Sequence, residues 1–537
     1  LSGISTCLAS ARSQVQSPVP KKTHLKSISK IYCQAILKIF VLLQTFRDPV
    51  NGSRKGTKET VLLNSEETIP QTKQRIYFSC PPQGLLNKVM TNGIILFMSW
   101  CLLLVFLGNE VLPNGSLFGL VIIFYSACVG GILLQLIRIP PVPPLPPLLG
   151  MLLAGFIIRN IPSIAKHVKV PTWWSSTLRS TALTVILIRA GLGLDPKALQ
   201  QMKTVCFRLS FGPCLVEACS AAVFSHFIMD FPWQWGFLLG FVLGAVSPAV
   251  VVPSMLRLQE AGYGAEKGIP TLLVAASSMD DIVAITGFNT FLNLIFSKGS
   301  VLHNILSTVW DVLVGVLIGI VFGVFIQYFP SEDQEKVPMK RAFLILSMSI
   351  SAVLGSQYIG LHGAGGLFTL VLSFTAGLKW ATEKTRVQKL ITSAWNFFEP
   401  LLFGLVGSEV SVSSLKSNAI GTCVITLCLG VLFRILSTFA LMCFAGFSFK
   451  EKIFIALSWM PKATVQAVLG PLALETARLT APHLESYAKD VMTVAFLAIL
   501  VTAPNGALFI GILGPRFLTR HWDPSKVKLH LPALEGH

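Results

Sequence analysis

From Cys80 onward the chain is a succession of apolar runs, and nothing else in it constrains the fold as strongly. Fourteen runs can be read, at about 89–107, 117–137, 145–161, 178–194, 209–228, 234–256, 268–296, 304–328, 342–359, 364–380, 395–410, 419–445, 452–474 and 490–513. Most reach the roughly 20 residues that a helix needs to cross a bilayer. Hydrocarbon offers no partner for a backbone N–H or C=O, so each segment must satisfy its own groups, which makes the runs helices. The expected fold class is an all-α polytopic membrane protein with about fourteen transmembrane helices. Composition agrees: only 13% of residues are charged, against about 25% in soluble domains.

The formal net charge of +18 would point to nucleic acid in a soluble protein. Here basic residues flank helix ends, as they do on the cytoplasmic face of a membrane. If both termini are cytoplasmic, the loops on that side after residue 80 hold 20 Lys and Arg, and the other side holds eight. Residues 1–80 add twelve Lys and Arg against four acids. They read as a basic cytoplasmic tail, mostly disordered. Within it, Ile31 to Phe46 is apolar but short for a span and lacks the flanks of a signal peptide. The transmembrane domain is expected over 81–515, and a cytoplasmic C-terminal tail over 516–537. Pro140 to Pro147 reads as a stiff cytoplasmic connector, and Asn114 begins an external Asn-Gly-Ser sequon. The eleven cysteines are scattered, with no C-x-x-C, which fits packed thiols rather than disulfides or zinc. No phosphate-binding G-x-x-x-x-G-K-[ST] occurs.

Charges inside the apolar runs carry the functional signal. Asp280 and Asp281 lie side by side in the middle of the run from Ile269 to Phe288. One carboxylate at mid-bilayer costs roughly 2.5–3.5 kcal/mol, so an intramembrane pair is expected to hold a small cation or a proton. At 100° per residue the two side chains point different ways. Asp281 is read as the carrier and Asp280 as its helper. Ser277 and Ser278, one turn earlier, can add hydroxyls.

Two runs are broken by proline near their middle, one at Pro248 and Pro253, the other at Pro461 and Pro471. Each should unwind there, and backbone carbonyls at Ala245, Val246 and Ser247 can then face an ion. Broken helices at corresponding positions of two halves point to a transporter site. The stretches from Gly191 to Leu199 and from Gly407 to Leu415 align at a similar offset, so the halves are expected to form an inverted repeat. Glu217 and Arg434 precede the two breaks by 31 and 27 residues. An ion pair between them is expected, with a structural role. Lys462, at the second break, can pair with Asp280, offset helix dipoles or titrate. Arg189 and Glu399 lie near segment ends, where a long side chain can reach the interface.

The combination SSMDDI, SPAVVVPS, MPKATVQAV and RILSTF (the last containing Arg434) resembles the monovalent cation:proton antiporters. It is most similar to their animal NHA branch of sodium/hydrogen exchangers, which includes a sperm-associated mammalian member. The likeness covers about residues 76–530. It implies a homodimer in which each protomer has a dimerisation part and a six-helix ion-translocating core, exchanging Na⁺ or Li⁺ for H⁺ by alternating access. It also implies the plasma membrane, that of the sperm flagellum in particular, and a role in pH and sodium regulation. In the family pattern the ion-binding acids fall on Asp280 and Asp281, the charged pair on Glu217 and Arg434, and the crossover lysine on Lys462.

Other classes fit less well. A sodium-coupled symporter of an organic solute would need a sizeable pocket. A non-transporting sensor can share a transporter fold. An intramembrane aspartyl protease needs two Asp on facing helices, which neighbours on one helix do not provide. The chain is therefore not expected to be an enzyme, to hold a resident cofactor or to bind nucleic acid.

Overall fold

The computed structural model describes residues 85–520, except 138–144, 195, 197–199, 201, 297–300, 332, 362, 381–382 and 413–416. The basic tail over 1–80, most of the proline-rich connector and the tail beyond residue 520 lie outside the described residues. The chain divides into two compact units, Leu1–Cys101 and Leu102–His537. In the first, the described part is the start of helix α1 (Leu85–Leu107). The second holds all that follows.

Among its described residues, helix is the only regular structure in that second unit, apart from one isolated bridge between Tyr263 and Arg520. Its main helices are α2 (Ser116–Leu136), α3 (Pro147–Asn160), α4 (Thr172–Gly193), α5 (Lys203–Met229), α6 (Trp233–Gly244), α7 (Pro248–Glu260), α8 (Ile269–Phe296) and α9 (Val301–Tyr328). There follow α10 (Val337–Ile359), α11 (Ala364–Gly377), α12 (Glu383–Glu409), α13 (Ser417–Met442), α14 (Phe449–Ser458), α15 (Thr464–Thr480) and α16 (Glu485–Phe517). Among the described residues ten helices are long and apolar enough to cross a membrane, with α6 and α7 taken as one, and two more, α3 and α11, are apolar but shorter. The protein is an all-helical polytopic membrane protein with ten to twelve spanning helices by this measure.

Prolines set where several of these helices begin. Pro147 and Pro248 stand at the first turns of α3 and α7, where the missing N–H costs nothing. The chain unwinds at Ala245 to Ser247, just before Pro248, and again from Met460 to Ala463, around Pro461. Pro253 and Pro471, expected to share in the breaks, instead lie inside continuous helix. One missing donor within an otherwise bonded helix bends it without unwinding it.

The helices of the second unit sort by contact into two groups. One contains α2, α3, α4, α9, α10, α11 and α12, with α9 laid along α11 and α3 along α12. The other contains α5 to α8 and α13 to α16, with α5 between α6 and α13. Small residues allow the closest approaches. A Cβ on Gly240 of α6 would stand 2.3 Å from the carbonyl oxygen of Ala218 on α5, and one on Gly506 of α16 would stand 2.2 Å from Cγ of Pro461. The second group surrounds both breaks, and a core that includes Val246, Leu273, Phe454 and Trp459 packs beside them.

Candidate ion-translocation site

The two unwound stretches lie against each other. Ser247 N–H donates to the Pro461 carbonyl at 2.8 Å, and Thr464 N–H points to Ser247 Oγ at 3.4 Å. At this crossing α6 and α14 end, so their terminal carbonyls, which have no partner within the helix, face inward. The partial negative charge of both helix ends calls for a cation.

Arg434 supplies it. Its Nε donates to the Trp459 carbonyl at 2.8 Å, at the end of α14, and its Nη1 to the Gly244 carbonyl at 2.5 Å, at the end of α6. The same Nη1 lies 2.6 Å from Glu217 Oε2, and Nη2 lies 2.9 Å from Asp280 Oδ2. A planar fork with five N–H donors can reach two helix ends and two carboxylates at once, whereas a lysine cannot. The pairing of Glu217 with Arg434 read from the sequence is present, and Arg434 also holds Asp280.

Lys462 turns to Glu217 rather than to Asp280, with Nζ 2.7 Å from Oε1 and 2.8 Å from Oε2. It also donates to the Leu243 carbonyl in the last turn of α6. Its backbone N–H donates to Thr502 Oγ1 of α16 at 2.9 Å. Glu217, Arg434, Lys462, Asp280 and Asp281 are all fully buried. Such a cluster persists only if its charges are paired with good geometry.

The neighbouring aspartates have different surroundings. Asp280 Oδ2 accepts from Arg434 and from the N–H of Val246, at 2.7 Å, just ahead of α7. Both oxygens of Asp281 lack a hydrogen-bond partner among the described residues, and no ion pair reaches them. The 100° step between neighbours puts one carboxylate in the arginine corner and turns the other away. Ser277 and Ser278 precede Asp281 by four and three residues, so they share its face of α8. Both donate their hydroxyl hydrogens to the Val274 carbonyl, at 2.9 and 3.5 Å, which keeps oxygen lone pairs available.

The unwound backbone is more heavily engaged than the sequence indicates. The Ala245 carbonyl accepts from Gln466 Nε2 at 3.0 Å, and the Ser247 carbonyl accepts from the N–H groups of Val250 and Val251. Val246 meets Asp280 through its N–H. A carbonyl has two lone pairs, so the Ala245 carbonyl keeps one for an ion, whereas the Ser247 carbonyl, expected from the sequence to face an ion, already uses both.

Arg189 stacks over the Trp395 ring at 5.9 Å and feels the charge of Glu399; neither belongs to the crossing. Gln466, Asp311 and Arg179 are among the buried polar residues that escaped the sequence reading. Gln466 reaches the crossing from the first turn of α15. Asp311 is buried in α9, and its signal was a single carboxylate within an otherwise apolar run. Arg179 is buried in α4 and pairs with Glu475 of α15.

A family model described as sodium/hydrogen exchanger, transmembrane, matches residues 124–513. The chain is 69% identical over 494 residues to sodium/hydrogen exchanger 9B1 of Homo sapiens, covering 92% of this chain and 96% of that one. It is 56% identical over 478 residues to sodium/hydrogen exchanger 9B2 of Homo sapiens, covering 87% and 89%. Among solved structures it resembles the sodium proton antiporter MjNhaP1 of Methanocaldococcus jannaschii, with a TM-score of 0.60 and 19% identity, over 75% of this chain and 98% of that one. The last likeness is one of fold. With a family model matched across both breaks and the charged cluster, and with relatives matched over nearly their whole length, the chain belongs to the sodium/hydrogen exchanger family, a family of transporters rather than enzymes.

Proposed function

We propose that the protein is a secondary active antiporter that exchanges Na⁺ or Li⁺ for H⁺ across its membrane, with Asp281 as the carrier. The observation that carries this reading is the fully buried carboxylate of Asp281, without a partner among the described residues, beside a neighbour that is already neutralised. A bare carboxylate in such a place is costly, so it holds either a proton or a cation, and binding one expels the other. Asp280, fixed by Arg434 and Val246, shapes the site. Ser277, Ser278 and the carbonyls of Ala245 and Val246 supply the neutral oxygens that a hard monovalent cation takes. Glu217, Arg434 and Lys462 keep the crossing of the two broken helices intact.

On this reading all fourteen apolar runs cross the bilayer, both termini are cytoplasmic, and the two breaks belong to inverted repeats. The group of α5 to α8 with α13 to α16 is the translocating core. The other group, within a transmembrane domain over 81–515, forms the dimerisation part of a homodimer. The plasma membrane, and the sperm flagellum in particular, follows from the NHA resemblance alone.

The test uses purified protein in liposomes with a pH-sensitive dye inside and an imposed Na⁺ gradient, for wild type and Asp281→Ala. Na⁺-driven proton movement in wild type that is lost in the variant supports the reading. Equal fluxes from both proteins would remove Asp281 from the mechanism. Na⁺-stimulated uptake of an organic solute without proton movement would favour a symporter.

A further inference from the structure

We propose that Gln466 is a positioning residue of the ion site, locking the peptide that holds Asp280 in the arginine corner so that Asp281 alone is open to the cation. This rests on the antiport reading above and adds a residue to it. Gln466 is the third residue of α15 and fully buried. Its Nε2 donates to the carbonyls of Val242, at 2.9 Å, and Ala245, at 3.0 Å. The amide orientation is fixed by chemistry: reversed, its oxygen would face two carbonyl oxygens.

The carbonyl of Ala245 and the N–H of Val246 belong to one peptide plane. In a trans peptide these two groups point in opposite directions. Gln466 therefore grips one side of the plane, and the other side donates to Asp280 Oδ2 at 2.7 Å. The plane sits in extended backbone between α6 and α7, where Ala245 has φ −82° and ψ 138°. No helical bond fixes its rotation there, so a side chain has to. By bonding Val242 as well, Gln466 refers that rotation to the last turn of α6. Its Oε1 has no partner among the described residues. A buried amide oxygen left open is costly, which argues that the residue is kept for what its nitrogen does. A residue that served only to fill space at this position would be apolar.

The test measures equilibrium binding of Na⁺ to purified protein, read as Na⁺-dependent thermal stabilisation, together with the half-saturation and maximal rate of Na⁺-driven proton flux. Gln466→Met keeps length and volume but removes the amide, and Gln466→Asn keeps the amide on a shorter stem. The expected result is Na⁺ binding weaker by about tenfold in Gln466→Met, as loss of a charge-linked hydrogen bond implies, with Gln466→Asn in between. Maximal flux at saturating Na⁺ should change far less, and the pH profile of binding should differ from wild type. Unchanged Na⁺ affinity and pH profile in both variants, while Asp281→Asn loses binding, would overturn the role of Gln466 alone. Unchanged affinity in all three would overturn the assignment of Asp281 as well. If Gln466→Met does not fold, Gln466→Asn decides.

Discussion

Nη2 of Arg434 stands 2.9 Å from Oδ2 of Asp280, while Asp281, the next residue, has no partner among the described residues. Arg434 also carries Glu217 and two helix ends. Arg434→Ala strands two buried carboxylates with one lysine and is expected to destabilise the protein by about 3–5 kcal/mol. Arg434→Lys should fall between, because one ammonium cannot reach four acceptors. Thermal melting of the purified proteins measures this, and an unchanged melting temperature would deny the clamp.

Competition at one carboxylate has a defined pH signature. Protons occupy Asp281 as pH falls, so apparent Na⁺ affinity should drop on acidification, by about tenfold per pH unit once the proton form dominates. On the alkaline side affinity should level off. Na⁺-dependent thermal stabilisation between acidic and alkaline buffers gives the curve. Asp281→Asn should show no Na⁺ response at any pH. Asp280→Asn should bind more weakly but still respond.

Lys462 and Glu217 are close enough to couple, at 2.7 Å. Glu217→Gln and Lys462→Met should each destabilise the fold. The double variant should be less damaged than their sum, with a coupling of about 0.5–3 kcal/mol. Additive losses would mean that Arg434 alone satisfies Glu217.

Gly506 makes room for the second break. Because its added Cβ would stand 2.2 Å from Pro461 Cγ, Gly506→Ala should cost about 1–3 kcal/mol through overpacking. Gly355 on α10 is the control, since an added Cβ meets nothing within 4 Å there. Gly355→Ala should be neutral, or stabilising by up to about 1 kcal/mol through helix propensity. Equal melting shifts in the two variants would contradict the packing described at Pro461.

The helices were legible because lipid forces each apolar run to satisfy its own backbone, and every run read from the sequence falls on a helix or on a broken pair of helices. The breaks were legible as prolines, although composition could not tell Pro248 and Pro461, which stand at the unwound stretches, from Pro253 and Pro471, which helix absorbs. The preference of Lys462 for Glu217 over Asp280 was not legible, because it depends on how the second break lies across the first. Gln466 was invisible for a similar reason. An uncharged amide three residues past an unwound stretch carries no signal until its two carbonyl partners, 221 and 224 residues away in sequence, come within reach. Arg179 carried no signal either, because its partner Glu475 lies on a helix nearly 300 residues later.

The sharing of Glu217 between Arg434 and Lys462 has an electrical consequence. Two cationic groups and two carboxylates, Glu217 and Asp280, sum to zero within one buried cluster. Whatever sits on Asp281 then decides the charge of this buried cluster. On the antiport reading proposed above, a proton gives the cluster zero charge and one Na⁺ gives the same, so exchanging one for the other leaves the transmembrane voltage, at about 2.3 kcal/mol per charge per 100 mV, no loaded cluster to act on. On that reading only the empty cluster carries charge, and the field acts on the one state that exchange never needs to move.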